Sequence, residues 1–178
     1  MNALRKIKKT VTESDQKRTE AVTSWSQSLG DRTVVKLALD AVQSVDCANL
    51  DDELKTRYEC QPRMLLTLLA YCYAAGIYGS KQIRQAMRDN ATVRYICAKE
   101  FPNESAIRKF RKENRALLSQ CLNNLFKQAW AMKFDQAEAD FLGYDWFESV
   151  LNEQIYLETA NRIDLAIFMD VMQWDLDY

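Results

Sequence analysis

From Thr33 onward the apolar positions fall into a helical rhythm. Val34, Leu37, Ala38, Ala41, Val42 and Val45 share one face at the 3.6-residue period, which predicts an amphipathic helix. A polar, acidic connector follows over 49–60, and Pro62 then stands where the first turn of a helix accepts a proline. The next helix, over 62–77, is apolar nearly all round, so other helices should surround it. Gly76 and Gly79 bracket its end, and Ser80 is placed to cap a helix over 81–89 with Ile83, Ala86 and Met87 inward and Lys81, Arg84 and Arg88 outward. Asn90 is a candidate cap for a short helix over 91–99 carrying Val93, Ile96 and Cys97.

Pro102 disfavours helix at Phe101, and Asn103 is a good cap for a fresh start. From Glu104, Ile107, Phe110, Leu117, Cys121, Leu125 and Met132 recur on one side, either as one helix or as two separated by a break near Asn114. Arg108, Arg111, Lys112 and Arg115 recur on the other side at i, i+3, i+4 and i+7. After Phe134, residues such as Phe141, Trp146, Phe147, Ile155, Ile163, Phe168 and Trp174 supply too many large apolar groups for a disordered tail. One or two acidic amphipathic helices, packed on the domain or on a partner, are expected there. Residues 1–32 read as a polar, basic arm with a Thr10–Glu13 capping-box pattern and a polar stretch over Thr23–Gly30.

Composition narrows the fold class. Four glycines and two prolines in 178 residues are too few turn residues for many short strands. The expectation is an all-α bundle containing a helix-turn-helix-like unit, with an acidic helical C-terminal extension. The domains expected are an arm at 1–32, a helical domain at 33–133 and a tail at 134–178. The absence of histidine removes the Ser-His and Cys-His pairs and the histidine-based zinc sites. Five cysteines, none in CxxC spacing, read as buried reduced thiols of a cytoplasmic protein, and no metal or other cofactor is expected. No secretory h-region opens the chain. The longest apolar stretch, over 64–78, falls short of the ~20 residues of a membrane span.

The net charge of −1 conceals a segregation along the chain. Residues 79–115 carry ten basic and four acidic side chains, a net of +6, whereas residues 134–178 carry one basic and eleven acidic, a net of −10. The basic block is either a set of solvated helix faces or a phosphate-binding surface, because the field that matters is local at a Debye length of about 8–10 Å.

Several runs in order carry a resemblance. Gln61-Pro62-Arg63-Met64-Leu65-Leu66, then Tyr71–Tyr73, Gly76 and Ser80-Lys81-Gln82-Ile83, followed by Phe101-Pro102-Asn103-Glu104-Ser105-Ala106-Ile107-Arg108-Lys109-Phe110-Arg111, resemble the N-terminal DNA-binding domain of bacterial insertion-sequence transposases. Asn90, Val93 and Arg94 also fit that pattern, and the resemblance covers the stretch from Cys60 to Phe134. It implies double-stranded DNA, the ends of a mobile element, as the ligand, and Glu104–Arg115 as the recognition helix. Asn103, Ser105 and Arg108 would then point to base edges, Arg111, Lys112 and Arg115 would lie on phosphates, and Lys81, Arg84 and Arg88 would follow the backbone. A homodimer or a full-length transposase are the protein partners implied.

Family members continue into an RNase H-like domain with three metal-binding carboxylates, and the acidic stretch after Phe134 offers no strand-forming run to position such a site. The expected protein is therefore a non-catalytic DNA-binding regulator or competitor at transposon ends, not an enzyme. The alternative is a protein-interaction module that retains the helical scaffold. The tail has two readings as well: an autoinhibitor competing with phosphate for the cations, or an integral part of the core.

Overall fold

The computed structural model describes residues 24–46, 58, 60–133 and 144–176, and among them the chain is all-α, with eight helices and no strand. The expectations for the Thr10–Glu13 pattern, for Cys47 and for most of the acidic connector lie outside the described residues, as do the side chains of Phe141, Trp146, Phe147 and Trp174. The helices are α1 (Trp25–Leu29), α2 (Asp31–Ser44), α3 (Pro62–Ala74), α4 (Ser80–Asp89), α5 (Ala91–Cys97), α6 (Glu104–Glu113), α7 (Arg115–Lys133) and α8 (Tyr144–Leu176).

Helix α3 is the hub that its all-round apolarity predicts. Every residue from Leu65 to Ala74 is buried, and α2, α5 and α7 pack around it. It ends in a Schellman turn: Ile77 donates its N–H to Cys72 (2.8 Å) and Gly76 to Tyr73 (3.3 Å). Gly76 supplies the φ of +84° that the turn needs. The Asn90 side chain caps α5 by accepting from the N–H groups of Thr92 (2.8 Å) and Val93 (3.2 Å).

The polar stretch before Gly30 holds a surprise for the sequence reading. Trp25 opens α1 and is a core residue, stacked on Phe126 and set edge-on to Trp130. Its neighbours are polar because a five-residue helix has room for few inward positions. The helix expected from Glu104 is two helices, broken at Asn114, where φ and ψ are −117° and 30°. Met132, expected inward, is exposed near the end of α7.

In the acidic C-terminal extension the described residues form one 33-residue helix, α8, lying on α7, α3 and α4. Ile155, Ile163 and Ala166 are buried with it, and Arg162 is fully buried. The Arg162 guanidinium donates to the Tyr73 carbonyl, to the Tyr78 hydroxyl (3.0 Å) and to Glu158 (2.7 Å), and it sits 4.9 Å from the centre of the Phe126 ring. Glu158 also accepts from the indole N–H groups of Trp25 (2.7 Å) and Trp130 (3.3 Å). The lone cation of an acidic segment thus anchors it to the domain, because all three of its guanidinium nitrogens meet an acceptor once buried.

Burial also sets an alkaline limit on stability. Desolvation raises the Cys97 thiol from 9.0 to about 11 and the Tyr71 phenol from 10.0 to about 12, and it raises Cys72 and Tyr73 as well. The unfolded chain loses these protons first, so it binds fewer protons than the folded chain above pH 9. Stability is expected to be level from neutral pH to about pH 9 and to fall between 9 and 12. Urea midpoints measured across that range check this, and a midpoint that rises with pH there would contradict it.

Candidate nucleic-acid interface

Helix α6 starts where the sequence places it. Asn103 is the N-cap, and its side-chain oxygen accepts from the Ala106 N–H at 2.8 Å. That oxygen caps the helix, so Asn103 sets the start of α6, where its side chain is exposed. Ile107 and Phe110 are buried, and Phe110 meets Tyr58 edge-on at 5.2 Å. Tyr58 donates to Glu113 (2.5 Å) and accepts from Asn114 (3.2 Å), fixing the break between α6 and α7.

At 100° per residue, Arg108 and Lys112 lie on the far side of α6 from Phe110, whereas Lys109 and Arg111 lie on opposite flanks. The two flanks differ in what faces them. On one, Lys109 is exposed beside Ser105 and Lys112, its ammonium 5.9 Å from the centre of the Tyr58 ring. On the other, α8 covers Arg111, which is only 4% exposed, donates to the Tyr73 hydroxyl at 2.9 Å and is paired with Asp170. Burial disfavours its charge, but Tyr73 and Asp170 outweigh that and hold the guanidinium above its ordinary pKa. Asp170 also accepts from the Ser80 N–H (2.7 Å), at the start of α4.

Arg111 therefore departs from the phosphate-facing position implied for it. The spacing at i, i+3, i+4 and i+7 set it among the outward cations, but its flank is where α8 docks. Arg115, on the first turn of α7, is exposed and pairs with Asp164 of α8 at 2.6 Å. Arg108 is half-buried, donating to the Ser80 hydroxyl at 3.0 Å and lying 3.6 Å from Glu104. Ser105 and Lys112 are exposed on α6; Lys81 and Arg88 are exposed on α4, with Arg84 half-buried between them.

Between α6 and α8 runs a groove of about 490 Å³, with Arg108, Lys112 and Arg115 on one wall, Ile167 and Val171 on the other, and the Arg111–Asp170 pair between. A second cleft of about 230 Å³ lies between α4 and the turn before α6, lined by Arg84, Met87, Arg88, Phe101 and Pro102. The arrangement is a ridge of cations on α6 and α4, interrupted where α8 supplies carboxylates. Lys109 was not singled out from the sequence. Its 100° offset from Phe110 equals that of Arg111 on the other flank, so no local signal separated the two.

Residues 36–113 match the family model described as Transposase domain (DUF772). The match supports a transposase-related family for this stretch, which runs from within α2 to the last residue of α6. No curated protein and no solved structure matches the chain. All the candidate residues from Lys81 to Lys112 lie inside the matched stretch, whereas Arg115 and the carboxylates of α8 lie beyond it. Among the described residues no group of three or more cysteines and carboxylates could hold a metal ion, and no helix is long and apolar enough to cross a membrane.

Proposed function

We propose that this chain binds double-stranded DNA through the outer face of α6, as a non-catalytic relative of transposases acting at element ends. The observation that carries the reading is the exposure of Ser105, Lys109 and Lys112 on one helix, with Lys81 and Arg88 exposed on the neighbouring α4. Ser105 and Arg108 would face base edges, and Lys109 and Lys112 would face phosphates. Lys81, Arg84 and Arg88 would follow the adjacent backbone. Asn103 and Arg111 act indirectly, the first by starting α6 and the second by tying it to α3 and α8.

Fluorescence anisotropy with duplexes selected from genomic fragments tests this. Binding should weaken linearly in log K against log salt, by about 0.9 per phosphate contact. Arg108→Ala is expected to cost about 1–3 kcal/mol on the selected site and less on random DNA. Supercoiled plasmid with Mg²⁺ or Mn²⁺ should stay intact. Salt-independent binding, or metal-dependent nicking that Asp175→Asn abolishes, would contradict the proposal.

The docked α8 narrows the question of autoinhibition to one pair. Arg111–Asp170 is buried and holds the helix in place, whereas Arg115–Asp164 is exposed on both sides and can exchange. A phosphate competing for Arg115 must displace Asp164, and an exposed pair contributes about 0.2–1 kcal/mol. Asp164→Asn is therefore expected to tighten DNA binding by up to about fivefold at low salt, with the gain vanishing as salt rises. Equal affinity of Asp164→Asn and the unsubstituted chain at low salt would remove Asp164 as a competitor.

A further inference from the structure

Helix α8 has two faces, and the fold uses one. Ile155, Arg162, Ile163, Ala166 and Asp170 are buried against the domain. On the opposite side Val150, Leu157, Asn161, Asp164, Phe168 and Val171 are all exposed. With Gln154 they recur at alternating spacings of four and three, the period of a coiled-coil seam, over a length of about 32 Å. The apolar members are well exposed: Val150 37%, Leu157 46%, Phe168 55% and Val171 56%. Such a run along one helix face marks an interaction surface rather than scattered surface residues.

We infer that this seam is a dimer interface on which α8 of a second copy of the chain lies antiparallel, about a two-fold axis at Asn161. Charge favours this occupant and this orientation. Beside the C-terminal half of the seam stand Lys112 and Arg115, on the groove wall facing Val171. Glu153, exposed near the N-terminal end, precedes Val171 by five whole helical turns and so occupies the same flank. An antiparallel pair brings the N-terminal half of one α8 beside the C-terminal half of the other, which sets the partner's Glu153 toward Lys112. Parallel pairing would instead align the cations of both copies. The arrangement is isologous, with the same patch on both subunits, and a central polar Asn161 fixes register as polar seam residues do. A two-fold axis perpendicular to the paired helices also leaves both α6 faces on the same side, where one duplex could meet both.

Dimerisation is measured without DNA, so its failure is distinguishable from failure of the DNA-binding reading. Sedimentation equilibrium of the full chain is expected to give twice the chain mass of 20.7 kDa. Phe168→Glu, at an exposed position, should return the single-chain mass with the helical circular dichroism unchanged. Asn161→Cys should form a disulfide-linked dimer under mild oxidation that the unsubstituted chain does not form, whereas Ser149→Cys, exposed but far from the axis, should not. Glu153→Lys should weaken the dimer, and adding Lys112→Glu should restore it. A single-chain mass for the unsubstituted protein at the highest attainable concentration would overturn the inference and assign the face to another partner. A dimer that survives Phe168→Glu, or the lack of a cross-link through Asn161→Cys, would overturn it equally.

Discussion

Asp170→Ala is expected to destabilise the fold by about 3–5 kcal/mol, the cost of leaving a buried charge without its partner. The carboxylate pairs with Arg111, only 4% exposed, and also accepts from the Ser80 N–H at the start of α4. Removing it strands a guanidinium and a backbone donor together, leaving Arg111 its bond to the Tyr73 hydroxyl. The size of the loss comes from the unpaired group rather than from the strength of the pair, and this gives a second arm. Replacing both partners with apolar residues, as in Arg111→Met with Asp170→Leu, should recover the part of the loss that comes from the unpaired guanidinium, while the unsatisfied Ser80 N–H keeps a cost of about 1–3 kcal/mol. Urea denaturation of the two variants decides it. A loss under about 1 kcal/mol for Asp170→Ala would mean that water reaches Arg111 and that α8 does not cover that flank of α6.

The second large effect concerns DNA. Replacing Arg108, Lys109 and Lys112 together with alanine is expected to lower the magnitude of the salt slope by about 1.8, from the two phosphate-facing lysines. Over a fourfold rise in salt, that difference amounts to about 12-fold in relative affinity. The same variant should keep its helical circular dichroism but unfold at a somewhat lower urea concentration than the unsubstituted chain, because Lys109 and Lys112 are exposed whereas Arg108 is half-buried and holds Ser80 and Glu104. Combining Lys81→Ala and Arg88→Ala on α4 should lower the slope by less than two further units if those residues flank the duplex. An unchanged slope in the α6 triple variant would move the interface elsewhere on the molecule and leave protein interaction as the better reading of this scaffold.

Much of the helical framework was legible locally. The inward faces of α2 and α4, the caps at Asn90 and Asn103 and the interruption at Asn114 are short-range features, set by side chains within a turn or two of where they act. The candidate site was legible only in part. Ser105, Lys112 and Arg88 are outward where periodicity puts them, but Arg111 is inward, and Lys109 takes the exposed flank opposite it. Periodicity gives an angle around one helix axis; it does not say which angles another helix will cover.

The sequence by itself determined the class of fold and the polarity of the chain. Sparse glycine and proline with a 3.6-residue apolar period leave helices as the form in which the backbone can be satisfied, and the charges divide into a basic middle and an acidic end whatever the packing. Only the tertiary structure decided what the acidic end does. Asp164 and Asp170 lie 49 and 59 residues from Arg115 and Arg111, and no local pattern links them. They meet because Ile155, Ile163 and Ala166 seek the apolar surface beside α7, and because buried Arg162 finds the Tyr73 carbonyl and the Tyr78 hydroxyl there. Hydrophobic burial is roughly proportional to area and blind to sequence separation, so the docking of α8, and with it the division of the cations into one buried anchor and an exposed set, is a property of the whole fold.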